Sequence, residues 1–253
     1  MVVFSLDSTT RAGCVALIVA QDRGGPIVDE RPGDPGRTHA ERLPSDAVAL
    51  LAAHGLTPAD VDLFAVASGP GLFTGLRVGI AAMQGFALAT GKPMAGVSAL
   101  DALGQLASRD CAPRTRVAAW MDAHRRDVFT ALFEVGTGPL FSGERLIERE
   151  GATVGDPGDT LERWKLMGGE PAVFAGDGAR RYQDAIAQRF PGAIVAPETP
   201  LAGAIALIAL ERARRGEVVG PAGIQPLYVR RPDAELAREH AVADRAVDVG
   251  RRD

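Results

Sequence analysis

Only two of the 253 residues are cysteine and only four are histidine. Neither Cys14 nor Cys111 belongs to a CxxC pair, so the usual framework for structural zinc is missing. Cys14 sits in the apolar run Cys14–Ala20 and reads as a buried strand residue. No apolar run approaches the roughly 18 residues that a membrane helix needs, so no span is expected. The first residues lack a basic stretch and reach Asp7 almost at once, unlike a secretory signal. A reduced, cytoplasmic setting is therefore expected. Basic residues do not dominate either: 28 Lys and Arg face 32 Asp and Glu, for a net charge of −4. The arginines come in scattered pairs, without the single basic stripe of a chain that grips nucleic acid alone.

What is present is ordinary globular composition, 46% apolar and 24% charged, at a length that allows two domains. Val2–Leu6 reads as a strand ending at Asp7, followed by the polar turn Ser8-Thr9-Thr10-Arg11-Ala12-Gly13 and a returning strand. Gly24-Gly25 then turns the chain into a third strand near residues 26–30. A helix is expected from Thr38 to His54, where Leu43, Ala47, Leu50 and Leu51 recur at helical spacing. Pro44 is expected to kink it or to mark its true first turn. Thr57-Pro58-Ala59-Asp60 reads as a second helix start, and residues 63–67 as a short buried strand.

That strand delivers the chain to ASGPGLFTGLRVGI, residues 67–80. Neither a P-loop nor a dinucleotide fingerprint fits it: no Lys-Ser or Lys-Thr follows, and the third glycine of GxGxxG falls on Thr74. A tight turn remains, leading to a helix N-terminus with Thr74 available as N-cap. Its amide groups could hold an anion, or Gly69, Gly71 and Gly75 could let the turn pass close to the first hairpin. The helix that follows, about 76–89, has only Arg77 and Gln84 as polar residues in its interior. Apolar nearly all round, it must be covered on most sides, either inside its own domain or by another subunit.

The second half repeats this plan. Val117–Met121 leads to Asp122, a polar turn and the strand 128–134, and Ala172–Ala175 leads to Gly176-Asp177-Gly178 and a helix over 179–189. Strand–Asp–turn–strand followed by strand–Gly-x-Gly–helix occurs twice, as after a duplication. The expected units are 1–108, 109–231 and a charged tail, 232–253, with a helix near 200–216 as a candidate to pack back on the first unit.

The stretches LDSTTRAGCVALI, HAERLPSDAVALL, ASGPGLFTGLRVGIAAMQGFALATGKPMAGVSAL, MDAHRRDVFTALF, FAGDGA and QPLYVR resemble, in order, successive blocks of the TsaB (YeaZ) family. The resemblance runs from residue 2 to about 231. It implies an α/β fold of the actin/Hsp70/sugar-kinase superfamily, with duplicated RNase H-like domains, the second reduced, and a poorly formed cleft. It also implies a non-catalytic subunit of the bacterial machinery that makes N6-threonylcarbamoyladenosine on tRNA. Such a subunit pairs with the TsaD transferase, is joined by the TsaE ATPase and meets tRNA only through the complex. No cofactor of its own is implied, ATP and metal belonging to the partners. TsaD-like paralogues carry a His-x-x-x-His metal motif shortly after the glycine block. Here Ala99 and Leu103 stand at those positions, and no two of His39, His54, His124 and His240 are four apart.

On this reading the pairing surface comprises His39, Leu43, Ala47, Leu50, Leu51, Arg77, Ile80, Met83, Gln84 and Ala87. It meets TsaD, or a second copy of the chain when alone, and an acid at Ile80 or Met83 is expected to abolish pairing without unfolding. Asp7, Ser8, Thr9, Thr10, Gly69, Gly71, Thr74 and Gly75 are vestigial phosphate-loop positions. His124, beside Asp122 and Asp127, reads as a solvated hairpin turn. Two enzyme readings compete: a small ATP-dependent phosphotransferase using Asp7 and the glycine turn, and a metallopeptidase, against which the histidine positions argue.

Overall fold

The computed structural model describes residues 1–20 and 26–230. The expected Gly24-Gly25 turn and the tail 232–253 lie outside them. The first half runs β1 (Val2–Asp7), β2 (Cys14–Val19), β3 (Ile27–Pro32), α1 (His39–Ala53), β4 (Leu63–Gly69), α2 (Phe73–Thr90), β5 (Met94–Ser98) and α3 (Ala99–Ala107). The second runs β6 (Arg116–Asp122), β7 (Val128–Val135), β8 (Leu146–Gly155), α4 (Pro157–Leu166), β9 (Val173–Ala175), α5 (Asp177–Arg181), α6 (Gln183–Arg189), β10 (Ile194–Val195) and α7 (Ala202–Arg214).

The two sheets have the same order, β3-β2-β1-β4-β5 and β8-β7-β6-β9-β10. In each, the first three strands form an antiparallel meander, and the last two add in parallel beside the first. The duplication legible in the two Asp turns is therefore carried through all ten strands, and the fold is the α/β fold the sequence suggested.

Strand alternation sets the layers. Along β1, Phe4 and Leu6 face an outer core with α1 and α2. Val3 faces a core shared with the second sheet and its Val117, Ala119 and Met121. On β6 the neighbours of those residues, Ala118 and Trp120, point away into a third core with Trp164, Phe174 and Phe190. Between the sheets lie α3 and α7, which touch each other and cross over between the halves. Helix α3 packs on β6, β7 and β9, and α7 packs on β1, β2, β4 and β5. Ser5 Oγ donates to the Ala202 carbonyl at 2.6 Å, which fastens α7 beneath β1.

Local signals account for most boundaries. Thr38 and Glu41 form a capping box that starts α1. Pro44 lies inside that helix, past its first turn. Residues 57–60 form only one 3-10 turn, with Pro58 at its first position. Helix α2 begins at Phe73 with Leu72 as N-cap, so Thr74 lies within the first turn and does not cap it. The single helix expected over 179–189 is two short ones meeting at Tyr182.

Candidate functional site

Asp7 ends β1 and is fully buried. Its Oδ1 accepts from the Thr9 amide at 2.8 Å and the Thr9 hydroxyl at 2.5 Å, and its Oδ2 from the Thr10 hydroxyl at 3.3 Å. Burial pushes its carboxyl above the usual range, and these bonds pull partly back. The hydroxyls expected to face a phosphate are thus turned onto Asp7. Thr10 Oγ1 also accepts from the Gly13 amide at 3.1 Å, closing the turn.

The glycine turn lies directly on this hairpin. A Cβ at Gly71 would stand 2.7 Å from Thr9 Cβ, and one at Gly75 2.6 Å from the Ser8 carbonyl oxygen. One at Gly79 would overlap the Ser8 hydroxyl, which is buried without a hydrogen-bond partner. Of the two readings of these glycines, close approach accounts for the geometry. The far side of the turn is also covered: a Cβ at Gly69 would meet the Leu227 carbonyl at 2.8 Å, and the Leu227 amide donates to Ser68 O at 2.7 Å.

The expected pairing residues need correction. Leu43, Ala47, Leu50, Leu51, Ile80, Met83 and Ala87 are all buried by the chain itself. They cover the outer face of the first sheet, packing with Phe4, Leu6 and Val66. An acid at Ile80 or Met83 would therefore break the core, not merely a surface. Arg77 lies over the Phe73 ring, 3.8 Å from its centroid, and donates to the Tyr228 hydroxyl at 2.7 Å. Gln84 donates to the Pro221 carbonyl at 2.8 Å. Both tie down residues 221–228. Half-buried His39 faces the first hairpin, with Nε2 3.1 Å from the Thr10 carbonyl.

What remains open is the opposite side of the same helices. On α2 the exposed residues are Phe73, Thr74, Arg77, Ala81, Gly85, Leu88 and Ala89, of which only Arg77 is charged. Leu88 is 70% exposed, and Val48 on α1 is 49% exposed. Helical periodicity marked the apolar side of each helix correctly and so pointed into the core. The signal that finds the outer side is negative, namely an 18-residue helix whose solvent face has almost no charge.

The second hairpin differs. The His124 amide donates to Asp122 Oδ1 at 3.0 Å, Arg181 pairs with Asp122 at 2.6 Å, and Arg230 pairs with Asp127. The His124 ring is more than half exposed, as a solvated turn requires. Between the halves lies a cleft of about 410 Å³ lined by Asp7, Cys14, Leu103, Met121, Asp177 and Glu198. Burial raises the Asp177 carboxyl as it does Asp7. Three carboxylates against one arginine, Arg11, give this cleft the wrong sign for a bare triphosphate. Among the described residues no three His, Cys, Asp or Glu side chains gather as a metal site. Ala99 and Leu103 are buried on α3.

Comparison with known proteins agrees with this geometry. The family model described as TsaD, tRNA N6-adenosine threonylcarbamoyltransferase, matches residues 25–235. YeaZ from Pseudomonas aeruginosa superposes with a TM-score of 0.68 at 28% identity, over 90% of this chain and 99% of that one. The chain belongs to the TsaB (YeaZ) family. An uncharacterized protein of Mycobacterium tuberculosis is 34% identical over 92% of this chain and 93% of its own length. The Escherichia coli tRNA threonylcarbamoyladenosine biosynthesis protein TsaB is 34% identical over 58% of this chain and 61% of its own. By contrast, the tRNA N6-adenosine threonylcarbamoyltransferase of Solidesulfovibrio magneticus matches only 66 residues, 18% of its length, at 54% identity. Likeness to the Pseudomonas YeaZ thus covers 90% of the chain, whereas likeness to that transferase is confined to one stretch of 66 residues.

Proposed function

We propose that this TsaB-family chain is the non-catalytic partner of a TsaD-type transferase in the synthesis of N6-threonylcarbamoyladenosine on tRNA. The outward faces of α1 and α2 receive the transferase, and a TsaE-type ATPase joins the pair. ATP and metal are held by those partners, tRNA is met only through the complex, and the work is cytoplasmic. Purified alone, the chain covers the same face with a second copy of itself.

The observation that carries this reading is the near-chargeless solvent side of α2, on which Leu88 is 70% exposed. Contiguous apolar surface of this kind marks a place where another chain binds. The closed hairpin supports the non-catalytic part, because the Asp7 carboxylate and the two threonine hydroxyls bond each other. The phosphotransferase alternative needs those same groups turned toward a nucleotide. Reconstitution tests the proposal: threonine, bicarbonate, ATP and tRNA are incubated with the other proteins of the pathway, with and without this chain. Modification is expected only with it, and equal modification without it overturns the reading. Calorimetry of the isolated chain with millimolar ATP and Mg²⁺ is expected to show no heat.

A further inference from the structure

His39 is the point at which three elements meet. Its ring belongs to the first turn of α1, lies against the first hairpin and is flanked by the start of α2. A Cβ at Gly13 would stand 3.1 Å from His39 Cε1, and a Cβ at Gly75 3.1 Å from His39 Cδ2. On one side Nε2 is 3.1 Å from the Thr10 carbonyl oxygen. On the other, Nδ1 is 3.1 Å from Arg42 Nη2.

These two partners fix the state of the ring. A carbonyl oxygen only accepts and a guanidinium only donates. Nε2 must therefore carry the proton and Nδ1 must present its lone pair, which describes the neutral Nε2–H tautomer and no other. Arg42 cannot swing away to accommodate a second ring proton. Its side chain is 1% exposed, pairs with Asp46 at 2.9 Å and donates to the Ala12 carbonyl. It threads past Gly33, where any side chain would overlap the guanidinium.

We infer that the His39–Arg42 pair is a proton-sensitive latch that holds the tip of the first hairpin, Thr10 to Gly13, against the two outer helices. When His39 takes a second proton, Nδ1–H faces Arg42 N–H and two positive charges share one part-buried contact. The bonds to Thr10 O and Ala12 O are the chain's grip on the hairpin from α1, and both pass through this pair. That tip is the wall between the inter-domain cleft, which Thr10 and Gly13 line, and the groove between α1 and α2, which His39 and Gly75 line. Releasing the latch joins the two spaces.

The charges around the ring all bear on when this happens. Burial lowers the affinity of the imidazole for a proton, and Arg42 lowers it further, while the Thr10 carbonyl and the Asp7 carboxylate oppose them. Arg11 and Arg37 line the open side of the groove and add positive charge, and the α2 side presents only Gly75, Thr74 and apolar groups. The net direction is down. Below about pH 6.5 an unfolded chain takes up the proton that the folded ring refuses, so the latch weakens as pH falls.

Nuclear magnetic resonance of the full chain tests this between pH 7.5 and 5. The His39 ring signals are expected to report the Nε2–H tautomer at neutral pH and a midpoint below the ordinary imidazole value. The amide signals of Thr10, Ala12, Gly13 and Gly75 are expected to move with that same midpoint. His39→Gln offers a donor to Thr10 O and an acceptor to Arg42 without titrating, and should fix those amides across the range. A His39 midpoint at the ordinary value overturns the inference, as do hairpin amides that stay still while His39 titrates. The wild-type titration alone decides between these outcomes if the glutamine variant does not fold.

Discussion

The two halves share one strand order and use their outer surfaces in opposite ways. The outer layer of the second half is built around Trp120, Trp164, Phe174 and Phe190 and is rimmed by ion pairs. Arg163 pairs with Glu150 at 2.7 Å, Arg149 with Glu134 at 2.8 Å, and Arg189 with Glu162. The outer layer of the first half is made of α1 and α2, and α2 carries one charge in eighteen residues. The hairpins differ as well. The first closes with a left-handed glycine, Gly13, and is roofed by the glycine turn. The second has three successive left-handed residues, His124, Arg125 and Arg126, none of them glycine. A duplicated topology fixes the layers, and the choice of outward residues gives one half a rim of ion pairs and leaves the long helix of the other with a single charge.

The strongest way to break this comparison is through the separate outer cores of the two halves. Trp164→Ala in the second half and Met83→Ala in the first are expected to cost roughly 3–5 and 2–5 kcal/mol respectively. Urea unfolding should show one transition in both variants, because the layer of α3 and α7 belongs to both sheets. Two separated transitions would show that the halves are independent bodies.

Next in size is the contrast between two exposed leucines. Leu88→Asp is expected to weaken pairing by about 100-fold, as burying an unpaired charge costs about 3 kcal/mol or more, with the melting temperature unchanged. Leu166→Asp, on the 86% exposed end of α4, should leave pairing intact. Sedimentation and calorimetry with the transferase read both, and equal effects would erase the distinction between the faces.

A finer test lies within α2. Replacing glycine by alanine inside a helix ordinarily stabilises by about 1 kcal/mol. Gly85→Ala meets nothing within 4 Å and should show that gain in urea unfolding. Gly79→Ala drives a methyl group into the Ser8 hydroxyl and should reverse its sign.

The smallest effects are in pH dependence, where the halves should differ in direction. Asp7 has its carboxyl raised by burial, so the unfolded chain gives up that proton first and stability falls as pH rises past the ordinary Asp range. Asp7→Asn should therefore gain on the wild type as pH rises above the ordinary Asp range. Burial also pushes Glu150 up, but the two hydrogen bonds and the positive charge of Arg163 outweigh it and hold the group low. Its contribution is present above the ordinary Glu range and lost as pH falls. Glu150→Gln should cost stability at pH 7 and little in acid, as followed by unfolding at each pH.

Sequence reading reached the fold because its punctuation is repeated. Asp7 and Asp122 end equivalent strands, Gly69 ends β4, and Gly176 directly follows the equivalent β9. It passed over β8 and α4. In β8 the sequence LIEREGATVG has no clean alternation, because it is an edge strand that is mostly half-exposed. In the site, the ten expected residues lie on α1 and α2, but periodicity names an apolar face without naming its cover. The cover proved to be the chain's own sheet. Two contacts had no local signal at all. Tyr228 reaches Arg77 across 151 residues, and Arg42, a buried cation on an otherwise apolar stripe, reaches the Ala12 carbonyl across 30.

The placement of α7 bears on how the chain is made. The bond between Ser5 and Ala202 spans 197 residues, and most of the inner face of the first sheet is covered by α7, which packs on β1, β2, β4 and β5. A ribosome delivering this chain from its first residue therefore presents a half-covered sheet through most of translation. Long-range closure of this kind is slow, and its apolar surface needs shelter meanwhile. Nascent chains halted near residue 110 should bind chaperones, and those released past residue 215 should not.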